Sequence, residues 1–281
     1  MVIAIISLMM GLFMYRISII LSLLVLSHTL VAQTVLVTGS NRGIGLEFVS
    51  QYAERDWDVI ATSRSPMDDY DLQALAKKYK NIQIETLDVT DQDEIEALTV
   101  KLETRPIDLL INNAGLLGDR SKQQWGEINK ETFDQLMNVN VFGPLKVSEA
   151  FSKNVIASEK KQIIVLSSII GSIGMRNTPT PLPSLAISKA AVNMAMKTVA
   201  TQLESDGVHV AMLFPGSVQT RMMHQAFGMD IEEASNKKDF DYGFESLTPS
   251  ESVSKMISVI DKLDRSKTGL FLNNDGTEIP W

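Results

Sequence analysis

Thr38-Gly39-Ser40-Asn41-Arg42-Gly43-Ile44-Gly45 is the stretch on which the fold of this chain turns. It follows a short run of β-branched and aliphatic residues at 34–37 and leads into a helical pattern. Glycines at this spacing permit a tight turn and let backbone amides close on an anion at the start of a helix, where the dipole favours negative charge. A glycine triplet alone also fits a plain strand-to-helix turn. The strand before it and the helix after it favour a pyrophosphate-binding loop.

The same alternation continues outward from that loop. Apolar runs at 59–62, 82–86, 109–111, 163–166, 208–213 and 270–272 are separated by stretches of helical periodicity. Continuous apolar runs suit strands buried on both faces of a parallel sheet. The expected fold is therefore α/β, a doubly wound, Rossmann-type parallel sheet with helices on both faces, in a single domain over 33–281. Residues 223–248, mixed in charge and rich in Phe, Asp and Glu, break the alternation and are expected to form a flexible or helical flap near a substrate.

Composition narrows the function classes. The 281 residues carry a net charge of -8, which leaves no basic excess for nucleic acid and makes small molecules the expected partners. With no cysteine, and with His28, His209 and His224 scattered, no metal site is expected. Residues 1–32 are apolar apart from Arg16, and several readings of them stay open. A basic start at Met14-Tyr15-Arg16, an apolar stretch and Leu30-Val31-Ala32 follow signal-peptide grammar, which implies the secretory pathway. An uncleaved anchor would bring membrane contact, although Arg16 mid-span costs about 2.5 to 3.5 kcal/mol. A wrong gene start would leave a cytoplasmic domain. No Asn-x-Ser/Thr acceptor site occurs.

The end of the second strand reads Thr62-Ser63-Arg64-Ser65. An acidic side chain there would hold ribose hydroxyls, and a basic one would accommodate a 2'-phosphate. Arg64, together with Arg42, can surround such a phosphate, and no carboxylate stands at that position. NADP(H) is the expected cofactor, with NAD(H) second; the alternative is that Arg64 only solvates a loop.

These motifs, with Asn112-Asn113-Ala114-Gly115, resemble the hallmarks of the short-chain dehydrogenase/reductase family over 34–281. The Asn41-Arg42 pair and the ending Asp275-Gly276-Thr277-Glu278-Ile279-Pro280-Trp281 are similar to its sniffer and C-factor carbonyl-reductase branch. The resemblance implies dinucleotide contacts at Gly39, Asn41, Arg42, Gly43, Ile44, Gly45, Arg64, Asp88, Val89, Asn113, Ala114 and Gly115. It implies more from Lys189 and from the Pro215, Gly216, Val218 and Thr220 loop on the nicotinamide side.

The family's chemistry implies Asn140 in a catalytic network, Ser168 positioning the carbonyl, and Lys189 lowering the pKa of a tyrosine proton donor. Counting back four residues from Lys189, one helical turn, gives Leu185 instead of that tyrosine. No tyrosine lies between Tyr79 and Tyr242, so a shift of register cannot restore one. General acid–base catalysis contributes about 100-fold to 10,000-fold, so its loss should cut turnover by that order while leaving cofactor binding alone. Substitutes are few. Ser184 would point elsewhere on the helix, Thr178 and Thr180 sit among Pro179, Pro181 and Pro183, Tyr242 is distant, and Lys189 acting through water is the best of them.

Two function classes stay open. One is an NADP(H)-dependent carbonyl reductase or alcohol dehydrogenase with an impaired or altered mechanism. The other is a non-catalytic dinucleotide-binding pseudoenzyme, a sensor or scaffold. The resemblance also suggests a homo-oligomer built on the helices after Thr132 and Ser184. Ala186, Ala190, Ala195 and Ala200 on the second would permit close packing, or serve the sheet instead.

Overall fold

The β-branched runs become seven strands: β1 Thr34–Val37, β2 Asp58–Ser63, β3 Ile82–Thr86, β4 Leu109–Asn112, β5 Gln162–Leu166, β6 His209–Phe214 and β7 Leu270–Asn273. The computed structural model describes residues 32–176, 181–229 and 246–281. All strand pairs of the sheet are parallel, in the order β3-β2-β1-β4-β5-β6-β7. Val35 pairs with Val59 on one side and Leu109 on the other, so β1 lies at the centre of the switch. From β1 the chain first builds outward through β2 and β3, then returns to lay β4 on β1's other flank. Crevices for ligands open at the carboxyl ends of strands where the order reverses in this way.

Helices cover both faces. Along β1, Val35 and Val37 join one core cluster and Leu36 the other, as the two-residue period of a strand requires. On the first face, α1 (Gly43–Glu54) contributes Phe48, Val49 and Tyr52. Val253, Met256 and Ile257 come to the same cluster from α9 (Pro249–Ile260). On the second face, α5 (Gly143–Ala150) supplies Val147, and α7 (Pro183–Gln202) supplies Val192 and Met196. Each large aliphatic or aromatic side chain buried here contributes about 1.5 to 3 kcal/mol relative to exposure. Among the described residues the remaining α-helices are α2 (Tyr70–Lys78), α3 (Gln92–Lys101), α4 (Lys130–Met137), α6 (Ser152–Ile156) and α8 (Arg221–Ala226). Residues Gln33–Trp281 form one compact unit.

One buried polar residue ties the second face to a loop. Asn154 of α6 donates from Nδ2 to Leu102 O at 2.7 Å and to Arg105 O at 2.9 Å. Asn154→Ala would leave the Arg105 carbonyl without a donor and take from Leu102 O one of its two, the other being Arg105 N at 2.9 Å, at a cost of about 1 to 3 kcal/mol. Urea unfolding should show a lower midpoint at unchanged slope; an unmoved midpoint would refute the assignment.

Some expectations shift. The flap expected over 223–248 begins as ordered structure, because Thr220 caps α8 by accepting from Met223 N at 3.3 Å. Its returning end is pinned where Val218 bridges Leu247. Residues 230–245, Tyr242 included, lie outside the described residues, as do Thr178, Pro179 and Thr180. The leader readings concern residues 1–32, of which 1–31 also lie outside them. Among the described residues, no helix is long and apolar enough to cross a membrane. The helix expected after Ser184 opens at Pro183, whose fixed φ and missing N–H suit a first helical position.

Candidate active site

The glycine loop owes its shape to close approach. Gly39 and Gly43 adopt φ of +66° and +55°, where a side chain would be strained. A Cβ on Gly45 would stand 2.2 Å from Gly39 O and 2.4 Å from Asn113 Nδ2. The loop is clasped from β4's end: Asn113 Nδ2 donates to Thr38 O at 2.8 Å and to Gly39 O at 2.9 Å. Thr38 Oγ1 in turn accepts from the amides of Asn113 and Ala114, each at 3.0 Å. Ile44 packs on the first core cluster, which fixes the helix that the loop opens. No side chain caps α1, and no acidic residue occupies its first turn, so the helix end is left to an outside anion. These residues fit a dinucleotide pyrophosphate.

Arg42 and Arg64 are exposed beside this loop and make none of the ion pairs found among the described residues. A carboxylate from outside residues 62–65 also reaches this corner. Asp69, six residues past the end of β2, accepts from Asn41 Nδ2 at 3.1 Å and from Ser63 Oγ. Sequence position hid it because a 3₁₀ turn, Pro66–Asp68, folds the chain back.

Farther along the crevice, Asp88 Oδ1 accepts from Thr90 N at 2.8 Å and Thr90 Oγ1 at 2.7 Å. Val89 is buried where α5 begins; a Cβ on Gly143 would lie 2.8 Å from its Cγ2. On the far side, Pro215 O accepts from Ser252 Oγ at 2.7 Å and Asn274 Nδ2 at 3.0 Å, and Gly216 turns with φ of +83°. Thr220 faces the glycine loop, with its Cγ2 3.5 Å from where a Cβ on Gly43 would be.

At another end of the crevice Gly115, Asn140 and Lys189 meet. A Cβ on Gly115 would lie 3.5 Å from Asn140 Oδ1 and 3.9 Å from Lys189 Nζ, so the three share one spot. Asn140 is buried in a π-helical turn, Asn138–Phe142, a local distortion common at functional sites. Its Oδ1 accepts from Leu116 N at 2.7 Å, while Nδ2 donates to Leu116 O at 2.9 Å and Ser188 Oγ at 3.1 Å. The side chain is thereby committed to holding the loop after β4 against α7.

Lys189 Nζ donates to Leu166 O at 3.0 Å, which leaves two of its three protons for other partners. Burial pushes its pKa down to about 8. Ser168 caps the 3₁₀ turn Ile169–Gly171, accepting from Ile170 N at 3.4 Å, and its own proton is uncommitted among the described residues. Gly171 lets that turn settle on the Lys189 backbone, since a Cβ there would meet Lys189 C at 2.7 Å.

Leu185 is buried with Leu117, Leu136 and Leu182, flanked by Ile170 and Ala226. It presents an apolar wall one turn before Lys189. Gln123, fully buried, accepts from Leu185 N at 3.0 Å and donates to Leu117 O at 2.8 Å. Nothing in Ser121-Lys122-Gln123-Gln124, which reads as an exposed polar run, marked this residue. Ser188, also unforeseen, accepts from Asn140 and donates to Leu185 O at 2.8 Å, so it has no proton to give. The C-terminal segment braces the loop after Ser168: Ser172 Oγ donates to Pro280 O, and Gly174 N donates to Trp281 O at 2.5 Å. No group of three or more His, Cys, Asp or Glu suited to a metal occurs among the described residues.

The sequence over residues 33–230 matches the model of the short chain dehydrogenase family. An uncharacterized oxidoreductase of Schizosaccharomyces pombe is 31% identical over 248 residues, covering 87% of this chain and 96% of its own length. An NADPH-bound carbonyl reductase from chicken fatty liver superposes with a TM-score of 0.77 at 30% identity, over 90% of this chain and 100% of the other. The carbonyl reductase Sniffer of D. melanogaster gives 0.75 at 25% identity, over 89% and 100%. Parallel sheet, clasped glycine loop and sequence agree: this chain belongs to the short chain dehydrogenase family, as an oxidoreductase of the carbonyl reductase type.

Proposed function

We propose that this chain binds NADP(H) and interconverts a small carbonyl compound and its alcohol by a proton step altered at Leu185. The observation that carries the reading is Lys189, held beside Gly115 and Asn140 with two protons free and its pKa lowered to about 8. The cofactor assignment is supported by the uncapped, tightly turned glycine loop, by the exposed Arg42 and Arg64, and by a relative solved with NADPH bound.

When bound, NADP(H) would supply the hydride exchanged with the substrate carbon. Ser168 offers its hydroxyl proton to the substrate oxygen and fixes it. Lys189 Nζ holds the proton that a tyrosine would otherwise deliver and passes it to the substrate oxygen through water. The cluster of Leu117, Leu182 and Leu185 excludes bulk water from one wall and selects an apolar substrate flank.

A pH profile separates this from other acids. With Lys189 protonated as the donor, carbonyl reduction should be full below pH 8 and fall as pH rises through about 8. The profile is measured as kcat against pH with NADPH and a panel of aldehydes and ketones. A flat profile from pH 6 to 10, or turnover surviving Lys189→Ala, overturns the assignment of the donor.

The buried leucine cluster favours a second reading, a dinucleotide-binding protein without turnover. Quenching of NADPH fluorescence with no product from any carbonyl would decide for it, and absence of quenching would end both. The leader reading of residues 1–32 and the compartment it implies remain proposals, tested by N-terminal sequencing of the purified protein. Self-association is supported by exposed apolar side chains on α5 (Leu145) and α7 (Ile187, Met194). Ala200, by contrast, is buried in the second core cluster, so its small size serves the sheet.

A further inference from the structure

We propose that Asp69 tunes the choice between NADPH and NADH by holding a carboxylate in the corner that receives the adenosine ribose. The inference rests on the dinucleotide-binding reading above.

Asp69 is the residue just before α2, the position where Asp ordinarily accepts from the helix's own second or third amide. It makes no such bond. Its two oxygens instead reach the two walls of the corner, accepting from Asn41 Nδ2 of the glycine loop at 3.1 Å and from Ser63 Oγ at the end of β2. Giving up a cap costs the helix stability, so the outward turn is explained by what it holds rather than by the helix it precedes. Ser63 Oγ also accepts from Ser65 N at 3.3 Å, which binds the Arg64 backbone into the same turn.

The carboxylate acts on a ligand in two ways. It occupies one N–H of Asn41 Nδ2 and the hydroxyl proton of Ser63, which would otherwise be free for phosphate oxygens. It also places a negative charge where a 2'-phosphate, unlike a 2'-hydroxyl, must be accommodated, since like charges within a few ångströms disfavour one another. A ribose hydroxyl can donate to the same carboxylate. Arg42 and Arg64 pull the other way, because their exposed guanidinium groups attract a phosphate. The corner therefore holds opposed determinants, and the chain should accept both dinucleotides with a preference set by their balance. Removing only the negative charge should shift that preference toward NADPH.

The test uses the full chain with Asp69→Asn, which keeps the shape, and Asp69→Ala, which frees both donors. Dissociation constants are measured by fluorescence for NADPH and NADH, and by calorimetry for adenosine 2',5'-bisphosphate and 5'-AMP as probes of the corner alone. The expected result is a rise of about tenfold or more in the ratio Kd(NADH)/Kd(NADPH) in both variants, with the same direction for the two nucleotides, a tenfold ratio being about 1.4 kcal/mol. Unchanged ratios in both variants, or a shift toward NADH, overturn the proposal while leaving dinucleotide binding intact. Failure of the unmutated chain to bind any of the four ligands overturns the proposed function and this inference together.

Discussion

Leu185→Tyr should raise the turnover of carbonyl reduction by about 100-fold to 10,000-fold, the range that a positioned general acid contributes. The residue stands one helical turn before Lys189, so a phenol there would share a face with the ammonium. The lysine needs no rearrangement, since Nζ already points to Leu166 O and keeps two protons free. Two costs oppose the gain. Leu185 is only 7% exposed among Leu117, Leu136 and Leu182, and inserting an aromatic ring there costs about 1 to 3 kcal/mol of stability. The hydroxyl must also find the cleft rather than the leucine cluster, because a phenol buried without a partner is disfavoured. The measurement is kcat with NADPH for both proteins, alongside their thermal midpoints. A folded variant that binds NADPH yet turns over no faster would show that position 185 does not face the reacting oxygen.

Gly45→Ala should remove dinucleotide binding and destabilise the fold. On propensity alone, alanine in a helix is favoured over glycine by about 0.5 to 1 kcal/mol. Space decides otherwise. The new methyl would stand 2.2 Å from Gly39 O and 2.4 Å from Asn113 Nδ2, and neither can yield cheaply. Gly39 is itself pressed on Ala114, whose Cα would be 2.9 Å from a Cβ there, and Asn113 Nδ2 is spent on Thr38 O and Gly39 O. Relief requires opening the clasp between the glycine loop and β4, at about 1 to 3 kcal/mol or more. That same clasp shapes the pyrophosphate cradle, so affinity for NADPH should fall about 100-fold, equivalent to roughly 2.7 kcal/mol. Gly207→Ala is the control. Its φ of +76° carries backbone strain, but nothing lies within 4 Å of the new methyl, so stability drops while NADPH binding persists. Equal affinity in Gly45→Ala and the unmutated chain would refute the clasp.

The sheet was legible from the chain alone because strand signals are local. Continuous runs of Val, Ile and Leu mark buried strands, and every expected strand lies within a residue or two of the observed one. The glycine spacing likewise announced a turn that only glycine can make, and the positive φ at Gly39 and Gly43 is its structural counterpart. The helix through Lys189 fixed the place of Leu185, since counting one turn needs no third dimension. What the fold decided lies in contacts distant along the chain. Gln123 reaches Leu185 N across 62 residues, Asn140 reaches Ser188 across 48, and the C-terminal Pro280 meets Ser172 across 108. Asp69 shows the limit most plainly. Residue by residue, the end of β2 carries no acid, yet a short turn brings one back to Asn41 and Ser63. Periodicity and motif spacing record which backbone shapes a segment favours. The charge and proton balance of a crevice depends on which side chains the packed sheet and its loops bring within hydrogen-bonding reach, and that is set by the tertiary structure.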